Sequence, residues 1–234
     1  MKAIIKRELN SYFRGGIGYV FCAVYLFFSA LNFGVVLLSG RSSLFPQVYH
    51  GMFYIILMII PVLTMRLFSE ERRQRTDQVL LTSPIGVWPM VLGKFFSALA
   101  VYAGCIGFTL VYAVVFSWYG HPSWALVFGN IIGAVLLGAA FIAIGMFISS
   151  LTESQVIAAI GSLFVATIFM LLDAIPLDTA NQTVIAIINW ITFMSHYKPF
   201  TQGILDFSSV VFFATVSLTF IFFTVRAIER RRWS

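Results

Sequence analysis

Gly86, Gly93 and Lys94 come nearest to a known chemical device in this chain, because glycines followed by lysine can cradle a nucleotide's phosphates. A phosphate loop of that kind needs four residues between its glycines and a Ser or Thr after the lysine to hold magnesium. Here six residues intervene and Phe95 follows, so both requirements fail. Gly93-Lys94 reads instead as the polar start of an apolar segment, with Lys94 snorkelling its ammonium to the lipid headgroups. His50, His121 and His196 stand apart with no second ligand at metal-binding spacing and read as solvated loop residues. No Ser/His/Asp arrangement marks a hydrolase. Cys22 and Cys105 each lie inside an apolar run and read as small core residues, not as a disulfide framework or thiolate site. The chain is expected to hold no cofactor and no metal of its own.

The remaining polar residues concentrate between Arg66 and Lys94. Glu70, Glu71, Arg72, Arg73 and Arg75 form a dense run of both signs, and Thr76, Asp77 and Gln78 follow. Val79-Leu80-Leu81-Thr82-Ser83-Pro84-Ile85 then continues it with apolar residues that water would serve poorly. Two readings stand side by side: a solvated loop with intrahelical ion pairs, or a short helix over 70–84 that docks on a soluble partner.

The elements that must carry this segment follow from composition. The chain has 234 residues, 60% hydrophobic and only 10% charged, against roughly 25% charged in soluble domains. A span needs roughly 20 apolar residues, and the apolar runs predict six: Ile17 to Ser39, Met52 to Phe68, Phe95 to Trp118, Trp124 to Ser150, Gln155 to Leu172 and Ser208 to Val225. With six spans, thirteen of the fifteen Lys and Arg residues fall on one side; only Arg41 and Lys198 lie opposite. By the positive-inside rule that side, with both termini and the 66–94 segment, is cytoplasmic. The net charge of +6 therefore reports topology and not nucleic-acid binding. Absence of Asp, Glu, Lys or Arg from the middle of any span disfavours an ion-coupled carrier.

Three further features belong to this plan. Residues 1–16 read as an interfacial helix, with Ile5, Leu9, Tyr12 and Phe13 on one face and Arg7, Asn10, Ser11 and Arg14 on the other; a plain basic tail is the alternative. The twelve apolar residues Val184 to Ser195 are too few to cross and predict a re-entrant or interfacial helix inside an outer segment, 173–207. Asp173, Trp190, Lys198 and Asp206 are its candidate gate residues. Gly129 and Gly133, with Gly138 and Gly145, form a small-residue series in the fourth span that suits packing inside the chain or dimerisation.

The stretch from Glu70 to Phe95 is similar to the segment after the second span of ABC-2 type exporter permeases, whose pattern E-E-x-R-x-G-T-x-E-x-L-L-T-x-P precedes a G-K-[FY] start of span 3. Thr76, Leu80, Leu81, Thr82 and Pro84 match, whereas Arg75 stands at the usual Gly and Gln78, beside Asp77, at the usual acid. Ser149 to Ala159 resembles the S-x-L-T-E-N-Q-x-x-A-A junction of the gliding-motility-type branch, as do Gly203-Ile204-Leu205-Asp206 and the terminal Arg231-Arg232-Trp233.

The resemblance implies an all-α integral membrane protein of the bacterial cytoplasmic membrane, a single transmembrane domain over 1–234. Its parts are the interfacial helix (1–16), spans 1–2 (17–68), a cytoplasmic coupling helix region (69–88), spans 3–5 (89–172), the outer segment (173–207), and span 6 with a basic tail (208–234). It implies a permease that works with two separate ATP-binding subunits, which bind ATP and magnesium, and with a second permease copy or paralogue, in company with accessory membrane proteins. Glu70 to Pro84 would be the coupling helix, and Thr152 and Glu153 a second ATPase contact. An anchor that ties an ATPase to an envelope or motility assembly without moving a substrate is the alternative. Twenty-five Phe residues fit lipid-like cargo or simply lipid-facing surfaces.

Overall fold

The computed structural model describes residues 2–39, 45–74, 86–118, 124–173, 188 and 190–232. The described residues form helices and no strands: α1 (Lys2–Arg14), α2 (Ile17–Ser39), α3 (Phe45–Thr64), α4 (Ser69–Arg73), α5 (Val87–Phe108), α6 (Leu110–Ser117), α7 (Trp124–Leu151), α8 (Gln155–Asp173), α9 (Phe193–Thr201) and α10 (Phe207–Arg232). Six helical stretches are long and apolar enough to cross a membrane: Ile17–Ser39, Val48–Arg73, Val87–Ser117, Trp124–Leu151, Gln155–Asp173 and Phe207–Arg230.

Two spans differ from the expected bounds. The second runs on through a turn at Met65–Phe68 into α4, so Glu70 to Arg73 prolong a span instead of standing apart from it. The third starts near Val87, about two turns before the expected Phe95, because Pro89 suits the first helical turn and Lys94 is accommodated inside the bundle. Thr109 divides that span into α5 and α6. Its hydroxyl donates to the Ile106 carbonyl at 2.6 Å, a local bond that competes with the helix ladder.

Helix α7 is the central pillar, and its glycines show why. A Cβ at Gly129 would lie 3.2 Å from the Gly203 Cα, and one at Gly133 would lie 2.6 Å from the Phe200 Cβ. Gly138 faces the Tyr102 ring and Gly145 faces Thr64. The series is thus filled by this chain's own α3, α5 and α9, which is the packing alternative. Tyr102 is held in place by its bond to the Ala134 carbonyl, 2.8 Å, so it cannot swing away from an added methyl. Gly138→Ala is expected to destabilise the protein by about 1–3 kcal/mol through overpacking, measured as a lower unfolding midpoint of the detergent-solubilised chain; an unchanged midpoint contradicts the close contact.

Several sequence expectations are corrected by this packing. The single helix expected up to Ser195 is interrupted at Thr192, whose backbone is extended, and a helix runs instead from Phe193 through His196, Lys198 and Pro199 to Thr201, with the Phe193 ring 4.6 Å from that of Phe169 and 4.8 Å from that of Phe141. Residues 184–187 and 189 lie outside the described residues. His50 and His196 sit in helices, not loops; His196 stacks on Phe212 at 4.0 Å, because α9 folds back against α10. His121 lies outside the described residues. Cys22 and Cys105 are free thiols as expected, Cys105 buried and Cys22 partly so, and their Sγ atoms come within 2.9 Å. In α1 the inward residues are Ile4 and Tyr12, while Phe13 is exposed and packs edge-on against Tyr19. The positive φ of Gly16 turns the chain sharply from α1 into α2 and sets that orientation.

Candidate functional site

The site builds around Lys94, expected to snorkel but in fact buried, with 1% of its side chain exposed. A lysine this deep is costly unless its charge and its three donors are met. The chain meets them from three other segments. Nζ lies 2.9 Å from Glu71 Oε1 on α4 and 3.3 Å from Glu8 Oε1 on α1. It donates to the Leu67 carbonyl at 2.7 Å and stands 5.1 Å over the Phe68 ring. Snorkelling loses because both carboxylates arrive at the lysine, so its stem need not turn outward. Gly93 makes this approach available: a Cβ there would sit 2.9 Å from Ile4 of α1.

Arg7 closes the cluster from outside, its Nη2 lying 2.8 Å from Glu8 and 3.0 Å from Glu71. Arg66 binds Glu70 at 2.8 Å and donates to the Ser11 hydroxyl at 2.8 Å. Beside it the Tyr12 hydroxyl donates to the Leu63 carbonyl at 3.0 Å, and burial pushes the phenol far above its ordinary range. These groups enclose a cavity of about 400 Å³, lined among others by Glu8, Tyr12, Glu70, Glu71 and Gln74.

On its other side α4 is fastened to α7. The Ser149 hydroxyl accepts the backbone N–H groups of Phe68 and Ser69 at 3.1 and 3.2 Å and donates to the Met65 carbonyl at 3.0 Å. It thereby satisfies backbone groups left open where the span breaks into a turn. Arg72 donates to the Leu151 carbonyl at 2.9 Å and pairs with Glu153 at 3.1 Å. The turn between α7 and α8 is itself fixed by Thr152, whose hydroxyl accepts the Ser154 N–H at 3.2 Å.

Glu8 carries a testable electrostatic signature. Burial disfavours its charged form, but Lys94 and Arg7 together outweigh burial and hold its carboxyl below the ordinary value of 4.5. A carboxyl depressed on folding contributes stability that is present above its unfolded value and is lost as pH falls through the folded one. The unfolding midpoint of the wild type is therefore expected to fall more steeply below about pH 4.5 than that of Glu8→Gln; parallel acid profiles would remove Glu8 from the cluster.

Of the expected coupling residues, Glu70, Glu71, Arg72, Thr152 and Glu153 are brought to this one end of the bundle. Arg73 is exposed. Arg75, Thr76, Asp77, Gln78, Leu80, Leu81, Thr82 and Pro84 lie outside the described residues. Among the outer residues, Asp173 ends α8 with its carboxylate toward the Met194 backbone, and Trp190 is 72% exposed and offers its carbonyl to His196 at 3.2 Å. Lys198 is exposed in α9. Asp206 caps α10, accepting the N–H groups of Ser208 and Ser209, each at 3.2 Å, and the Ser209 hydroxyl at 2.7 Å. The Ser209 hydroxyl leads the interactions that hold its carboxyl below the ordinary carboxylate range. Among the described residues no hydrogen bond or ion pair joins any two of these four.

Sequence reasoning missed Glu8, Lys94 as an internal cation, and the bonds by which Arg66 and Ser149 hold α1 and α4. Arg66 reaches Ser11 across 55 positions, Ser149 reaches Phe68 across 81 and Lys94 reaches Glu8 across 86, so no local pattern reveals these pairings. The available signal was Glu8 one helical turn before Tyr12, on the inward border of α1.

No curated protein matches the chain at a significant level. The ABC-2 family transporter protein family matches it over residues 5–228, a stretch that contains the whole charged cluster, the first five apolar helices and nearly all of the sixth. With that match over nearly its full length, the chain belongs to the ABC-2 family of transporter membrane proteins.

Proposed function

We propose that this protein is the permease subunit of an ABC-2 type exporter, which couples ATP hydrolysis by separate ATPase subunits to movement of a substrate across the membrane. ATP and magnesium belong to two partner ATPase subunits, and a second permease copy or paralogue completes the pathway. The observation that carries the reading is the set of bonds around α4. That short helix is tied at once to α1 through Arg7, to α5 through Lys94, to α7 through Ser149, and to the α7–α8 turn through Glu153.

A push on the segment that follows Arg73 would reach three helices and the α7–α8 turn through these bonds, and α4 prolongs the second span directly. Glu70 to Pro84 is the coupling segment and Thr152-Glu153 the second contact. Closure of the ATPase dimer would move them together, and different affinities for its open and closed states supply the free energy of coupling. Release is governed at the opposite end by the 173–207 segment, where Asp173, Trp190, Lys198 and Asp206 are the candidate gate. The gathering of Lys and Arg on one side supports a cytoplasmic position for α4, in a protein that we assign to the bacterial inner membrane. The stretches Ser149–Ala159 and Gly203–Asp206 support membership of the gliding-motility-type branch.

The test is copurification of the tagged chain from native membranes. A stoichiometric ATP-binding polypeptide is expected, with hydrolysis that rises several-fold when the two are reconstituted together; recovery of the chain without an ATPase would overturn the reading.

A further inference from the structure

We propose that Arg7, Arg14 and Arg66 form a binding site for the headgroup phosphate of an anionic phospholipid, held where α1 turns into the first span. The recess they line has a volume of about 470 Å³ and is completed by Asn10, Ser11 and Gly15. Arg7, Asn10, Ser11 and Arg14 recur at helical spacing of three and four residues, so α1 presents them as one stripe, and Arg66 joins them from the second span.

Charge is sorted across this stripe. Glu8, Glu70 and Glu71 line the neighbouring cavity, and no acidic residue lines the recess. Arg7 turns only its Nη2 toward the acids. Arg66 spends Nε on Glu70 and Nη2 on Ser11, while its Nη1 lies beside Gly15. Arg14 is exposed and makes no hydrogen bond or ion pair among the described residues. Three guanidiniums with donors to spare, next to two neutral polar side chains, match the several acceptor oxygens of a phosphodiester.

The position commits the ligand to a lipid and not a free phosphate. The recess opens at the start of α2, whose outward face continues upward with Tyr19 63%, Val20 57%, Phe27 60% and Leu31 51% exposed. A bilayer lipid can seat its phosphate on the arginines and lay its acyl chains along this apolar strip. Such a lipid would also brace Arg66, and through Glu70 the helix α4. The site stands whether or not an ATPase docks at that helix.

The full-length chain in neutral detergent is titrated with dioctanoyl phosphatidylglycerol while its unfolding midpoint is followed. A saturable rise is expected, with dioctanoyl phosphatidylcholine far less effective. Arg14→Gln, which removes no internal bond, is expected to keep the ligand-free midpoint and weaken apparent affinity about fivefold, the ratio that corresponds to about 1 kcal/mol per basic residue at an anionic surface. Lys198→Gln, at the other end of the bundle, leaves affinity unchanged. The proposal is overturned by equal affinity in wild type and Arg14→Gln, by equal weakening in Lys198→Gln, or by inorganic phosphate displacing the lipid at matched concentration.

Discussion

Replacing Leu80 and Leu81 together with aspartate is expected to abolish stimulation of the partner ATPase while leaving membrane insertion and the unfolding midpoint intact. The pair belongs to the apolar continuation of a charged segment, and it matches two positions of the ABC-2 coupling pattern. Apolar anchors at the centre of a docking surface each contribute on the order of 2 kcal/mol, and a carboxylate put in their place must be desolvated without a partner. Two such losses amount to about 4 kcal/mol, or roughly a thousandfold in affinity. Arg73→Ala is the comparison: its side chain is exposed, and removal of an exposed charge costs less than about 1 kcal/mol. Steady-state hydrolysis by the reconstituted complex measures both. Wild-type stimulation by the double aspartate variant would remove these leucines from the interface.

Lys94→Met is expected to be the most damaging single substitution at the charged end of the bundle. Removing one member of a buried ionic cluster strands the others, at a cost of about 3–5 kcal/mol. Here it would leave Glu8 and Glu71, whose side chains are only 12% and 16% exposed, with Arg7 as their shared cation. Arg7 is 53% exposed, so solvent screens the compensation it can give. For a chain of this size the loss lowers the unfolding midpoint by on the order of 10 °C. The same substitution in a Glu71→Gln background should cost distinctly less, because one of the stranded carboxylates is already neutral. A lysine that merely snorkelled to headgroups would give near-neutral effects in both backgrounds, so the paired measurement decides between the two placements.

The expectations that survived and those that failed divide by range. Six apolar membrane-length helices, the helix over Lys2–Arg14 and the turn at Thr152-Glu153 rest on residues close together in sequence, and all were legible. Lys94 was misread because its local context, glycine and lysine ahead of an apolar run, is what a snorkelling residue also shows. What buries it is Glu8 and Glu71, brought from 86 and 23 positions away. The two cysteines were placed correctly in apolar runs, yet their meeting depends on how α2 crosses α5. The glycines of α7 left packing and dimerisation open until Tyr102, Phe200 and Thr64 were seen against them.

By itself the sequence determined that this chain is a membrane protein with six helices of membrane-crossing length and apolarity, because hydrocarbon admits only long apolar helices and excludes charge from their centres. It also carried the short patterns by which an ABC-2 permease is recognised. Only the tertiary structure decided which charges are surface and which are internal, since a buried ion is tolerated only where distant segments deliver its counter-ions to within about 3 Å. Lys94, Glu8, Glu71 and Arg7 are such a set, and their convergence joins the start of the coupling segment to the helices it is proposed to move.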